Sequence, residues 1–527
     1  MDYAPPITKR RIYLVCPRNP DNFWTLQGSV KAAGVKTLMP NSALASLVAL
    51  TPEDVAVEYL YCDENISPID FSMSCDLVAV TGYSLHAARM EEICRIFRAR
   101  QIPVAVGGIF ATLHPERAGK MADYLFVGES EYTWPRFLRE WRQNRAHSRY
   151  IQETHIDMKD SPAPDWSHID GADYLYFSVQ TSRGCPNNCD FCDAVRVVGR
   201  KHRSKPISQI ITEISNAHRA GAETVFFSED NFFVNRSFTK ALLSEIIQWN
   251  TAQSTPLSFA AQATTQIGHD EEILRMLADA RFSVIFLGLE SVRKACLTEV
   301  NKGHLFQQDP SQAVRQLSGY GILPFVGLIV GFDHDDANTF TEIEDFLKTT
   351  ATPFATISIL NAPENTTLYE RMKQQGRLQD KFNGVWHFST NIVPISMPLA
   401  QLLNLHRRLF QRLYEPAEFE KRALEWLARI RYFSPLYERS KMKPSKLMKL
   451  FHITKFYLFH RSREIRSLYF RMLRNAWKIK PRLFKKAVTI MAQYCHYYDF
   501  VNESVWQDDA SLPATHPDGH SRKQLVK

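Results

Sequence analysis

The segment TSRGCPNNCDFCDA places Cys185, Cys189 and Cys192 at Cys-x3-Cys-x2-Cys spacing, with Phe191 directly before the last cysteine. Iron–sulfur clusters are held by thiolates, four in the common case, so three would ligate three irons of a [4Fe–4S] cluster and leave one iron open. A zinc knot with His202 as fourth ligand is the alternative. Structural zinc usually draws on paired knuckles, and there is no second Cys-x2-Cys here. An electron-transfer module with a remote fourth cysteine would leave the βα units that follow unexplained. The other six cysteines (Cys16, Cys62, Cys75, Cys94, Cys296, Cys495) are scattered and read as small buried apolar side chains.

A loop carrying such a cluster needs a frame, and the sequence around it supplies strands in series. YFSVQTS, ETVFFSED, LSFAAQAT, FSVIFLGLES, LPFVGLIVGF and ATISILNA alternate with helical stretches near 207–220, 237–249, 270–280, 311–320 and 337–348. Six βα units predict a partial parallel barrel whose chemistry sits at the carboxyl ends of its strands, with the triad just past the first. Those ends carry Glu229 and Asp230, Gln262 and Thr264, Glu290 and Ser291, and Gly327 and Gly331.

Ahead of the barrel, RIYLVC, VAVEYLYCDE, DLVAVTGYS, IPVAVGG and DYLFVGES alternate with helices such as 90–100. The pattern predicts a doubly wound α/β domain with a parallel sheet covered on both faces. Three of its strands end in Thr81-Gly82, Gly107-Gly108 and Gly128-Glu129, where glycine would let a bulky ligand approach the backbone or would simply make a tight turn. No GxGxxG follows the first strand, which weakens a nucleotide-binding Rossmann reading. The expected organisation is therefore a doubly wound domain over 1–144, a linker over 145–175, a barrel over 176–375 and a mainly helical region over 376–527.

That last region is basic, with 15 Lys or Arg between 441 and 486 against one acid, Glu464. Ile465, Leu468, Tyr469, Met472, Leu473 and Ala476 recur at helical spacing, predicting one apolar and one basic face. Such a helix either packs in a helical domain with a solvated basic face or lies on a membrane surface or anionic substrate. With 527 residues the chain has length for about three domains. Its net charge of +8 permits contact with nucleic acid or anionic lipid without requiring either. The N-terminus lacks a long apolar h-region, and no run approaches the roughly 20 apolar residues of a span, so a soluble cytoplasmic protein is expected.

On CxxxCxxC with an aromatic before its third cysteine, in the loop after the first barrel strand, the chain resembles the radical S-adenosylmethionine (SAM) superfamily. The resemblance implies that SAM's amine and carboxylate chelate the open iron and that an electron from the cluster cleaves SAM to a 5′-deoxyadenosyl radical. SEDNFF stands where relatives carry a GGE-like turn, which implies Glu229 or Asp230 as acceptor for the SAM amine. FLGLES resembles the G-x-E-S segment, implying Glu290 at the ribose hydroxyls and Ser291 at the carboxylate. Gln262 is a further SAM candidate, and Gly327 and Gly331 would let backbone approach the adenine.

A doubly wound domain ahead of such a barrel is similar to the cobalamin-binding class of that superfamily. Asp-x-His-x2-Gly is missing, so the resemblance implies base-off cobalamin without a protein histidine on cobalt. Its tail would lie along Thr81-Gly82 and Gly107-Gly108, with Gly128 and Glu129 nearby. His86 and His114 read as surface or capping residues. The helical C-terminal region resembles the hopanoid C-2 methylase group, although APENTTLY replaces a frequent Pro-Gly-Thr turn. The implied reaction is cobalamin-dependent methylation of an unactivated carbon on a lipid or natural product; rearrangement, cyclisation or oxidation without methyl transfer is the alternative. Implied partners are the small-molecule or lipid substrate and an electron donor such as flavodoxin or ferredoxin, with peripheral membrane contact through the basic helices and no nucleic acid.

Overall fold

In β1 (Arg10–Cys16) alternate residues feed two different cores: Ile12 and Leu14 pack on one face, Tyr13 and Val15 on the other. Strand residues point alternately up and down, so apolar side chains at every position call for a sheet covered on both sides. The computed structural model describes residues 9–20, 22–379, 388–439 and 444–502. It joins β1 to β2 (Val57–Asp63), β3 (Leu77–Thr81), β4 (Val104–Gly107), β5 (Tyr124–Val127) and β6 (Arg149–Ile151) in the order β2-β1-β3-β4-β5-β6. All pairs are parallel, with Ile12 opposite Tyr59 on one side and Leu77 on the other. The order reverses between β1 and β3, the switch point at which open α/β sheets bind ligands.

The sixth strand falls in the stretch expected to be linker. Arg149–Ile151 is too short to show a period, and only Tyr150 is buried, stacked on Phe126. Its pairing with β5 extends the first sheet past residue 144.

The second sheet runs β14-β13-β12-β11-β10-β7, again parallel throughout, and forms the expected partial barrel. Its strands are β7 (Phe177–Val179), β10 (Thr224–Phe227), β11 (Ser258–Ala263), β12 (Phe282–Glu290), β13 (Leu323–Val330) and β14 (Phe354–Ile359). Between β7 and β10 a two-residue antiparallel ribbon, β8 (Ser182–Arg183) with β9 (Arg203–Ser204), stems the cysteine loop. Helices end where the sequence says they should. Glu271–Ala280 starts on Asp270, whose carboxylate accepts the Ile273 N–H, and stops at Arg281 in a left-handed turn.

An open barrel leaves an edge strand with unpaired backbone groups. Here the C-terminal helices close it. The Tyr414 hydroxyl accepts from the Ala355 N–H (2.9 Å) and donates to the Ala355 carbonyl (2.8 Å), His406 Nε2 donates to the Ile357 carbonyl (2.6 Å), and Arg422 donates to the Thr352 carbonyl (2.6 Å). Leu409, Phe410, Trp426 and Tyr494 from these helices share one hydrophobic core with Leu328 and Ile357 of the barrel. The face foreseen on helix Arg463–Ile479 also turns into this core, with Ile465, Leu468, Tyr469, Met472 and Ala476 buried. Tyr414→Phe leaves the buried Ala355 N–H without a partner, so a loss of about 1–3 kcal/mol is expected in thermal or denaturant unfolding. Iron content should not change.

The segment after β1 ties all three regions together. Phe23 lies in the shared core and its carbonyl accepts from His496 Nε2 (2.8 Å), while the Trp24 ring meets Phe286 and Phe325 of the barrel.

Candidate active site

The cysteine loop leaves the β8–β9 stem at Gly184, whose φ is +96° and where a Cβ would fall 2.2 Å from the Lys201 carbonyl oxygen. Only glycine fits. Its N–H donates to Asp230 Oδ2 (3.1 Å), so the acid at the end of β10 orients the residue before the first cysteine. The loop is then pinned from the far side of the barrel. The Asp190 N–H donates to the Val300 carbonyl (3.1 Å), its carboxylate accepts from Arg371 (2.9 Å), and Asn301 Nδ2 donates to the Asn188 carbonyl (3.0 Å). Phe191 packs against the apolar cluster that holds Cys296, Val300 and Phe332. Burial raises all three thiols, Cys192 to about 11, and at Cys189 the Lys302 ammonium opposes that push. Among the described residues no three His, Cys, Asp or Glu side chains converge as a single-ion site. A four-iron cluster takes its thiolates on separate irons and does not ask for such convergence.

Around this loop the strand ends hold polar groups. Glu229 is buried and accepts the Thr181 N–H through Oε2 (3.5 Å), while its Oε1 has no partner. Burial pushes its carboxyl up to about 8. An orphaned buried acceptor beside the cysteine loop fits a ligand that brings a cationic donor, as the SAM amine would. Gln262 Nε2 donates to the Glu229 carbonyl (2.6 Å), clipping β11 to β10. Glu290 sits at a bulge between β12 and β13 with φ +64°, a conformation that costs a non-glycine residue about 1–3 kcal/mol. Its carboxylate pairs with Lys302 Nζ (2.6 Å), which also donates to the Gly288 carbonyl (3.0 Å).

Lys302 was not among the sequence candidates. It follows a short helix in a loop, where neither strand alternation nor helical spacing marks a position as facing the site. Ser291 and Gly331 are engaged elsewhere: the Ser291 hydroxyl accepts from the Arg293 N–H (3.1 Å), and the Gly331 N–H donates to Asp335 (2.7 Å).

One cavity of about 1240 Å³ lies between the carboxyl ends of the first sheet and those of β7 and β10 in the second. Thr81, Gly82, Gly107, Gly108, Gly128 and Glu129 line one wall; Gln180, Arg183, Ser228 and Asp230 line the other; Trp24, Leu38 and Met39 lie between. Glu229, Gln262, Glu290, Ser291, Gly331 and the three cysteines stand outside that lining. The glycines serve the turns themselves as well, since Gly108 has φ +88° and a Cβ there would meet Thr81 Oγ1 at 2.2 Å. His86 also lines the cavity, but both ring nitrogens are used. Nδ1 accepts from the Tyr83 N–H (3.0 Å), so Nε2 carries the proton and donates to Asn19 (2.9 Å). That is the expected capping role in a buried setting. His114 pairs with Glu364 (3.3 Å) and lies tilted against the Phe110 ring. A glycine-edged cavity at a switch point, with no histidine free to ligate, fits base-off cobalamin.

The two walls are bound by charge. Glu129 Oε1 accepts from Arg183 (2.8 Å) and Arg203 (3.0 Å), its Oε2 from the Ile156 N–H (2.7 Å), and Glu131 accepts from Arg183 (2.7 Å). Burial alone would raise the Glu129 carboxyl, but hydrogen bonds from Arg203 and Arg183 outweigh it and hold the group below the usual range. Arg183 immediately precedes Gly184, so the network joins the end of β5 to the stem of the cysteine loop.

Residues 179–347 match the model of the radical SAM superfamily, and 366–509 match DUF4070, a domain family of unknown function. The hopanoid C-2 methylase of Rhodopseudomonas palustris is 31% identical, covering 79% of this chain and 79% of its own. An uncharacterised methyltransferase of Synechocystis sp. is 29% identical over 77% of this chain and 76% of its own. The solved structure of the cobalamin-dependent SAM radical enzyme OxsB, with aqua-cobalamin and SAM bound, has the same fold: TM-score 0.58 at 14% identity, over 94% of this chain and 80% of that one. Cysteine loop, barrel, preceding doubly wound sheet and helical tail all agree with these matches, and the chain belongs to the radical SAM superfamily, in the family of the hopanoid C-2 methylase.

Proposed function

We propose that this protein is a cobalamin-dependent radical SAM methyltransferase acting on an unactivated carbon of a lipid or other small molecule. The observation that carries the reading is the single cavity joining the strand ends of the two sheets, with Asp230 and the cysteine-loop stem on one wall and the glycine turns on the other. A substrate can meet a centre on each domain only if both open into one space, and Asp230, which holds the Gly184 N–H ahead of the first cysteine, brings the cysteine loop to the edge of this one. The relative named as a hopanoid C-2 methylase supports carbon methylation and brings a lipid within the substrate range.

When bound, the cluster supplies the electron that cleaves SAM and cobalamin serves as methyl carrier; the protein's share is placement. Cys185, Cys189 and Cys192 would hold three irons. Glu229 would offer its open oxygen to the SAM amine and Glu290, paired with Lys302, would take the ribose hydroxyls, while Gln262 clips β11 to β10 beside them. Ser291 and Gly331 have no N–H left for SAM, since theirs are given to the Leu289 carbonyl and to Asp335, and the Ser291 hydroxyl already accepts from the Arg293 N–H. Thr81, Gly82, Gly107, Gly108 and Gly128 would line the corrin tail, and apolar Trp24, Leu38 and Met39 would keep water from the reacting carbon. A flavodoxin or ferredoxin would deliver the electron.

Anaerobic turnover with methyl-labelled SAM and candidate extracts, followed by mass spectrometry, tests this. S-adenosylhomocysteine should accumulate alongside 5′-deoxyadenosine, with label in the product. Deoxyadenosine alone would favour a rearrangement, cyclisation or oxidation.

A further inference from the structure

With the foreseen apolar face of helix Arg463–Ile479 turned inward, a different set of apolar side chains remains outside. Of fourteen exposed large hydrophobic residues among the described ones, eight fall between 447 and 479. Phe459 is 75% exposed, Phe451 59% and Trp477 57%. Scattered exposed hydrophobics are ordinary, whereas a concentration of them marks an interaction surface. Helical geometry gathers them further. Leu447, Phe451 and Leu458 on helix Pro444–Leu458 follow i, i+4, i+11 spacing and share one stripe, with Lys455 beside it. On the next helix Phe470 and Trp477 share a stripe with Arg463 and Arg474.

The charges say what covers this surface. Lys455, Arg461, Arg463, Arg474 and Lys478 are exposed and form no ion pair among the described residues. A second copy of the chain would set these cations against their own like. An anionic bilayer takes aromatic and aliphatic side chains at its interface and attracts the surrounding cations, satisfying both features at once. Among the described residues no helix is long and apolar enough to cross a membrane, so the contact would be peripheral.

The surface is mechanically close to the cavity. Helix Pro444–Leu458 packs on helix Gln27–Ala33, and the His452 ring sits against Gly34, where a Cβ would come within 2.6 Å. That short helix connects two lengths of cavity wall, Trp24–Thr25 before it and residues 37–40 after it. We propose that the outer faces of helices Pro444–Leu458 and Arg463–Ile479 seat the protein on an anionic lipid bilayer, from which a lipid substrate reaches the cavity. This rests on the methyl-transfer reading with a lipid as substrate.

Flotation of the anaerobically reconstituted full-length protein with vesicles of phosphatidylcholine, with and without phosphatidylglycerol, tests it. Wild type should float with the anionic vesicles at least about tenfold more than with phosphatidylcholine alone. Phe451→Ser with Phe459→Ser, and separately Arg463→Glu with Arg474→Glu, should each lose that excess while cluster absorbance and SAM cleavage under dithionite stay at wild-type level. Wild type left at the bottom of the gradient, variants that float as well as wild type, or a dimer dissolved by the double serine variant would overturn the proposal. S-adenosylhomocysteine measured in the same preparation reports the chemistry separately: its formation without flotation removes only the bilayer surface, and flotation without it removes only methyl transfer.

Discussion

Cys189→Ala, reconstituted anaerobically, should retain almost no iron and should form 5′-deoxyadenosine only at background, a fall on the order of 10³-fold or more. The expected effect is this large because the variant removes the second of only three thiolates, and the remaining two cannot hold the three irons that the loop is spaced to bind. The fold should survive. What pins the loop is the Asp190–Arg371 pair, the Asn301 contact with the Asn188 carbonyl and Phe191 against its apolar cluster, none of which uses a thiol of the triad. Thermal melting of the variant should therefore match wild-type apoprotein. Cys296→Ala makes the control: Cys296 is fully buried and donates to Asp335 (3.3 Å), so its loss should lower stability and leave iron content intact. Full iron content and SAM cleavage in Cys189→Ala would remove the triad from the site.

The parts of the molecule legible in the sequence are those whose signal is local. Short β-branched apolar runs bounded by turn residues, such as LVAVT and LPFVGLIV, read as strands buried on two faces, and a cluster triad is defined by spacing alone. The same logic explains the misses. β6 has three residues and one buried side chain, so nothing in RYI distinguishes it from linker. Lys302 becomes a site residue through a fold-dependent meeting with Glu290, twelve positions earlier in sequence. The apolar stripe on helix Arg463–Ile479 was correctly read as a stripe, but periodicity does not say whether protein or lipid covers it. The structure gives it to the core, because Tyr469 stacks on Tyr457 and Leu468 and Met472 are fully enclosed. Likewise the glycines at 107–108 and 128 were visible as strand-end turns. That their strands share one cavity wall, and that Glu129 beside them is held by Arg183 and Arg203, depends on how two distant sheets dock.

That docking carries the second large effect. Glu129→Ala should cost about 3 kcal/mol at neutral pH, the lower end for breaking a buried ion pair, since Arg203 loses its carboxylate partner while Arg183 keeps Glu131. The pH dependence has a definite sign. A carboxyl held below its ordinary value in the native state stabilises the fold above about pH 4.5 and loses that contribution as pH falls through the lowered native value. Wild type should therefore shed stability in the acid range below 4.5 more steeply than Glu129→Ala, and the two denaturation midpoints should converge there. The functional consequence follows from where Arg183 stands. It is the last residue before Gly184 and the cysteine loop, while Glu129 ends a strand of the other sheet, so losing the Glu129 pairs leaves Arg183–Glu131 alone in this network and lets the two cavity walls shift against each other. Loop anchors on the barrel side remain, and iron content should hold near wild type. What should fall is the yield of methylated product per 5′-deoxyadenosine, because a reaction between groups held on opposite walls is sensitive to displacements of about 1 Å. Unchanged stability together with unchanged product yield per deoxyadenosine would show that the ion network does not set the spacing of the two domains.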